Sequence, residues 1–232
     1  MTATTKARLG YADLPALLTR MTGDEKHEPS ATSTLDVLWV LYDRVLRVDP
    51  DTVDDPARDR FLLSKGHGPA AYYAVLAAKG FFPVDWLDDW GSYDSPLGYH
   101  PDRTRLPGVE ISSGSLGHGL PLGIGVVHGL RAQGHTDART YVLVGDAELD
   151  EGSNHEAIAY AGAVGMSGLT VVVIDNHSST HGWPGGIGAR FAAHGWSTAT
   201  VDGRDHRAIE SALTTALPGR PHVVVATVED KN

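Results

Sequence analysis

The chain is expected to fold as an α/β domain of three layers, a mostly parallel sheet flanked on both faces by helices. Three observations predict it. Residues 140–144 and 169–174 are short valine-rich runs without polar alternation, as strands covered on both faces require. Residues 154–166 between them read as a small-residue helix, which completes a βαβ unit. A third apolar run, 222–228, follows an amphipathic helix expected over 205–217, and this repeats the unit and extends the sheet.

The earlier elements follow from their punctuation. Residues 1–26 are expected as a helical extension of a single domain spanning 1–232. Leu35, Leu38, Leu41, Tyr42 and Val45 share one face of a helix expected over 35–46, with Ser33 or Thr34 as its cap and Asp49-Pro50-Asp51 as its stop. Residues 69–79 form a second helix, with Pro69 in its first turn and Gly80 at its end. The stretch 82–107 has no clean period and reads as an ordered functional loop with short helical turns. Residues 119–133 resume as a glycine-rich helix that Gly134 ends.

Composition removes several classes of function. At 41% hydrophobic and 21% charged, the 232 residues suit one soluble globular core. A net charge of −10 opposes binding to nucleic acid or to anionic lipid. With no cysteine there is no disulfide, thiolate-ligated zinc or thiol nucleophile. No apolar run reaches membrane-spanning length and the first twenty residues have no signal-like core, so a cytoplasmic location with no membrane partner is expected. No G-x-x-x-x-G-K-[ST] loop, H-E-x-x-H helix or post-strand G-x-G-x-x-G occurs, so P-loop, zincin and dinucleotide chemistry lack support.

Two apolar runs each end in a hard-oxygen side chain, Asp146 and Asn176. In a parallel βαβ unit both fall just past the C-terminal ends of their strands, where open α/β sheets bind ligands. Neighbouring strands would bring the two side chains out roughly 5 Å apart, within reach of one ion. Oxygen ligands suit Mg²⁺ or Ca²⁺, with remaining positions filled by phosphate and water. Either dipeptide alone, Gly145-Asp146 or Asp175-Asn176, reads equally well as a turn. In register on successive strands they point instead to a metal-anchored phosphate ligand.

Gly-Asp-x, then 27 residues, then Asp-Asn resembles the thiamine-diphosphate-binding motif. The segments "FLLSKGHGPAAYYAVLAAKGF", "GYHPDRTRLPGVEISSGSLGHGLPLGIGVVHGL", "GDAELDEGSNHEA" and "GWSTATVDGRDHRAI" resemble successive transketolase signatures, in family order. The resemblance implies a diphosphate-binding (PP-type) domain in which Asp146, Asn176 and the carbonyl of Ser178 hold Mg²⁺ or Ca²⁺ on thiamine diphosphate. It places His67 and His100 beside the reacting carbons, His67 also against the cofactor, and His27 as a third active-site histidine in an altered neighbourhood. Gly114, Ser115 and Leu116 match the segment that approaches the aminopyrimidine ring. Gly145, Asp146, Ala147 and Glu148 match the diphosphate loop, and Glu151 and Glu156 match acidic residues that link active sites across the dimer. Ala147 stands where the motif usually has a second glycine. A positive φ there would cost alanine roughly 1 kcal/mol, and helix-like angles would cost nothing.

The family's catalytic glutamate and acceptor-phosphate contacts belong to a second, pyrimidine-binding domain that these residues do not contain. The resemblance therefore implies the N-terminal subunit of a split transketolase. Such a subunit transfers a two-carbon ketol unit from a ketose donor to an aldose or other acceptor, working with a separate C-terminal chain as an α2β2 heterotetramer. Two alternatives stay open: another thiamine enzyme, either an E1-type 2-oxoacid dehydrogenase subunit or a deoxyxylulose-phosphate-type synthase, and a non-catalytic paralogue serving as a structural partner.

Overall fold

The computed structural model describes residues 9–23, 28–215 and 218–230. In chain order the regular elements are α1 (Leu14–Arg20), α2 (Glu28–Val40), β1 (Arg60–Leu63), α3 (Pro69–Ala78), α4 (Gly119–Ala132), β2 (Thr140–Gly145), α5 (Gly152–Ala163), β3 (Leu169–Asp175), α6 (Gly186–Ala193), β4 (Ser197–Asp202), α7 (His206–Thr214) and β5 (His222–Thr227). The strands form one sheet in the order β1-β2-β3-β5-β4, and every pairing in it is parallel.

Alternation along the strands assigns the layers, because successive side chains leave a strand on opposite faces. Phe61, Leu63, Tyr141, Leu143, Val172, Ile174, Val224 and Ala226 pack on one side with α1, α2, α3 and α7. Leu62, Val142, Val144, Val171, Val173, Val223 and Val225 pack on the other with α4, α5 and α6. The sheet is thus the middle of three layers. Every residue of β2 is buried, the physical reason its sequence shows no polar alternation.

Some boundaries differ from expectation. The helix expected over 35–46 begins instead at Glu28, so Ser33 and Thr34 are buried inside it and do not cap it. It ends in a wider π turn over Leu41–Val45, after which Leu46 is extended. Asp205 caps α7 by accepting hydrogen bonds from the backbone of Arg207 (2.9 Å) and Ala208 (3.1 Å), and that helix stops at Thr214. Within the N-terminal segment expected as helical, the described residues form a 3₁₀ turn (Tyr11–Asp13) and α1, whose Leu14, Leu17 and Leu18 are buried. No helix of the described residues is long and apolar enough to cross a membrane.

His222, at the start of β5, is 5% exposed. Its Nδ1 meets Ser197 Oγ at 2.8 Å and its Nε2 meets the Ala212 carbonyl at 3.1 Å. Burial pushes its pKa below the ordinary 6.5. The unfolded chain therefore takes up a proton that the folded chain refuses. This contribution to stability is full above about pH 6.5 and is lost as pH falls below it. The urea midpoint is expected to drop between about pH 7.5 and 5.5, with a shallower drop in His222→Gln; equal drops would contradict the assignment.

Candidate functional site

The segment that leads into α4 and the loops that follow β1 and β2 meet past the C-terminal ends of the strands. The backbone amides of Ser64 and Lys65 both donate to the Leu143 carbonyl, at 2.9 and 3.0 Å, which fastens the Ser64-Lys65-Gly66-His67 loop to the end of β2. Gly145 lies opposite Ile174, and the Asp146 amide donates to the Ile174 carbonyl at 3.0 Å, so β2 and β3 are direct neighbours up to the site. Asp146 and Asn176 therefore leave adjacent strand ends, as their spacing predicted.

A cavity of about 370 Å³ opens there, and its walls include His67, His100, Gly114, Leu116, Gly145, Asp146, Ala147, Glu148, Asn176 and Ser178. Ten residues named from separate sequence motifs thus converge on one space. Ser115 is exposed beside the cavity and does not line it. Glu151, the cap of α5, and Glu156, on its exposed face, also lie outside it. His27 lies outside the described residues. Lys65 is a wall residue that sequence reading passed over; it is 8% exposed, and its Nζ donates to the His67 carbonyl at 3.2 Å. Its position inside the Ser-Lys-Gly-His segment was the available signal.

The polar chemistry of the floor is uneven. Asp146 is 1% exposed. Its Oδ1 accepts from the Ala147 amide (2.9 Å) and the Ser178 hydroxyl (2.6 Å), and its Oδ2 from the amides of Ser178 (2.6 Å) and Ser179 (3.1 Å). Asn176 is 3% exposed, and its Oδ1 is buried with no hydrogen-bond partner among the described residues. An orphaned buried carbonyl oxygen costs about 1–3 kcal/mol, so a fold retains one where something else completes it. A carbonyl oxygen and a carboxylate at neighbouring strand ends are the hard-oxygen ligands to which Mg²⁺ or Ca²⁺ binds. The donor set accordingly fits Mg²⁺ or Ca²⁺.

Backbone geometry around the floor is specialised. His177, between Asn176 and Ser178, has φ +55°, the one positive value among described non-glycine residues. This left-handed residue turns the chain so that two successive amides face Asp146. Its ring is paired outward with Asp230, Nδ1 to Oδ1 at 2.8 Å. Ala147, by contrast, begins a 3₁₀ turn (Ala147–Asp150) at negative φ, so alanine carries no strain where the motif usually has glycine. Gly114 has φ +128°, and a Cβ there would come within 2.8 Å of the His100 ring. The loop that carries His100 is pinned from behind, since Tyr73 Oη (2.9 Å) and Trp90 Nε1 (3.2 Å) both donate to the Gly98 carbonyl.

Comparison with known proteins agrees with this geometry. Residues 21–228 match the family model for the transketolase thiamine-diphosphate-binding domain. A protein of Rhodococcoides fascians named ferredoxin fas2 is 58% identical over 218 residues, covering 94% of this chain and 72% of that protein. Its name cannot extend to these residues, because cysteine thiolates hold iron–sulfur clusters and the chain has no cysteine. One subunit of the apulose-4-phosphate transketolase of Actinobacillus succinogenes is 37% identical over 207 residues, covering 86% of this chain and 75% of that protein. Among solved structures, a transketolase variant from Pichia stipitis superimposes with a TM-score of 0.75 at 26% identity, and the transketolase of Leishmania mexicana with 0.74 at 27%. The chain covers 36% and 37% of those two chains, so it spans little more than a third of their length. Taken with the converging motifs, these matches show that the chain belongs to the transketolase family, in its thiamine-diphosphate-binding domain.

Proposed function

We propose that this chain is the diphosphate-binding subunit of a two-chain transketolase and holds thiamine diphosphate through a divalent cation on Asp146, Asn176 and the Ser178 carbonyl. The observation that carries the reading is the buried, unpartnered Oδ1 of Asn176, a residue that lines the same cavity as Asp146 just past the ends of paired strands. Thiamine diphosphate supplies the carbanion chemistry of ketol transfer when bound. The chain's own groups bind and position. Lys65 places a cation on the wall beside Gly145, where it offsets diphosphate charge. Gly114 lets ligand and backbone approach closely where a side chain would displace His100. His67 and His100 hydrogen-bond substrate hydroxyls and serve as proton donors and acceptors to them.

A second polypeptide completes the site with the pyrimidine-binding domain, two copies of each chain forming the active unit in the cytoplasm. The exposed Glu151, which caps α5, and Glu156, on that helix, then face a neighbouring protomer. The relatives named as subunits of apulose-4-phosphate transketolases support the two-chain arrangement. The substrates are sugars, a ketose donor with an aldose or other acceptor. Co-expression with a candidate partner and assay with hydroxypyruvate plus an aldehyde tests this. Turnover is expected from the complex only. Turnover by this chain alone would overturn the partner requirement, and turnover of pyruvate with a lipoyl acceptor would favour the E1-type alternative.

Asn176→Ala separates a metal ligand from a packing residue. Removing an unsatisfied buried oxygen is expected to leave the cofactor-free melting temperature within about 2 °C, while affinity for the Mg²⁺–thiamine diphosphate pair falls by about tenfold or more. A large loss of cofactor-free stability with unchanged affinity would contradict the role.

A further inference from the structure

We propose that Glu148 is a positioning residue that ties together the three loops of the cleft through Ser64, and that it makes no direct contact with the cofactor. The inference deepens the functional reading above and rests on it for the identity of the ligand.

The carboxylate is 2% exposed and turns back into the protein. Its Oε1 accepts from the Ser64 hydroxyl and from the Gly117 amide (2.9 Å), and its Oε2 accepts from the Gly145 amide (3.3 Å). Ser64 Oγ in turn accepts from the Gly119 amide at 2.9 Å. The relay therefore runs from the first turn of α4, through the loop after β1, to the turn after β2. Glu148 also binds through its main chain, its carbonyl accepting from Asn154 Nδ2 at 2.7 Å at the start of α5. Each segment so joined lines the cavity: Gly114 and Leu116 ahead of α4, Lys65 and His67 after β1, and Asp146 and Ala147 after β2.

A buried carboxylate is an expensive way to fill space. Burial pushes the Glu148 pKa up, against the opposing pull of the Ser64, Gly117 and Gly145 donors and of Lys65. What a carboxylate offers in return is acceptor capacity on both oxygens, which no apolar or singly accepting residue provides. The packing around the relay has no slack, since a Cβ on Gly119 would lie 2.2 Å from Ser64 Cβ. Both oxygens of Glu148 are taken up by three protein donors, Ser64, Gly117 and Gly145, which orders the segments around the cleft.

The isosteric Glu148→Gln tests this. Its carbonyl oxygen can keep the Ser64 and Gly117 donors, but its amide then opposes the Gly145 N–H, donor against donor. Only the bond that closes the Asp146 turn on itself, from the Gly145 amide to Glu148, is broken, and the ties to Ser64 and Gly117 remain. In the cofactor-free two-chain complex, amide hydrogen exchange over 145–150 is expected to rise several-fold while 64–68 stays protected. Affinity for Mg²⁺–thiamine diphosphate is expected to fall about tenfold, a size typical of residues that orient direct ligands. Ser64→Ala should instead raise exchange at 117–119. Trp196→Phe is the control for general destabilisation: it removes a 2.9 Å bond from Trp196 Nε1 to the Ile158 carbonyl outside the cleft, and should lower the melting temperature with affinity unchanged. Wild-type affinity and exchange in Glu148→Gln would overturn the proposal. So would lost affinity with unchanged exchange, which would mark a direct cofactor contact. Failure of the wild-type complex to bind cofactor would sink the functional reading instead, and the exchange comparison would still decide the loop tie.

Discussion

Gly162→Ala is expected to lower the stability of the chain by about 3 kcal/mol or more, a fall in melting temperature of roughly 10 °C for a domain of this size. Gly162 lies on α5, and a Cβ built there would sit 1.7 Å from the His194 carbonyl oxygen and 2.8 Å from its carbon. Both are backbone atoms, so no side-chain rotation relieves the overlap. α5 must move away from the segment joining α6 to β4, opening the contact in which Trp196 Nε1 reaches the Ile158 carbonyl. Helix propensity acts in the opposite direction, since alanine in a helix gains about 0.5–1 kcal/mol over glycine. Gly129→Ala on α4, with nothing within 4 Å of the added atom, isolates that gain and should stabilise slightly. Thermal melts of the pair decide the matter; equal shifts would show that the close approach of Gly162 carries no energy.

Asp146→Ala has the largest expected effect on ligand binding. The substitution removes the only charged member of the proposed cation set, and removes the acceptor that gathers the Ala147, Ser178 and Ser179 amides. Affinity for thiamine diphosphate with Mg²⁺ is expected to fall at least about 100-fold, equivalent to about 2.7 kcal/mol. Hydrogen exchange over 176–181 should rise as well, although Asp150 still holds the Thr180 amide (3.2 Å) and hydroxyl (3.0 Å). A variant that binds the cofactor as tightly as wild type would remove the cation from the account.

The sheet and the site were legible where local chemistry and tertiary demand coincide. β2, β3 and β5 are buried on both faces, so their valine runs announce themselves. The same strands place Asp146 and Asn176 where the parallel register requires, and the cavity residues could be named because each sits in a short motif. Other elements were silent for physical reasons. β1 is four residues long, below the length at which a period shows. β4 is an edge strand whose residues alternate between buried or half-buried and exposed, so Ser-Thr-Ala-Thr-Val-Asp reads as a loop. α6 opens on Gly185 and Gly186, both at positive φ, after a glycine- and proline-rich stretch that signals a turn. The helix start at Glu28 was hidden because Ser33 and Thr34 mimic a cap while packing inside the helix. Glu148 was named from its motif as a cofactor contact, whereas its carboxylate accepts from Ser64, Gly117 and Gly145, donors up to 84 residues away that only the fold brings to it.

Asp146 and Asn176 are proposed to hold a divalent cation that carries a diphosphate. Calorimetric titration of thiamine diphosphate into the two-chain complex, with and without Mg²⁺, tests it most directly. Binding is expected to require the metal, with one cofactor for each copy of this chain. Equal binding in the presence of a chelator, or no binding to a folded complex at saturating Mg²⁺, would contradict it.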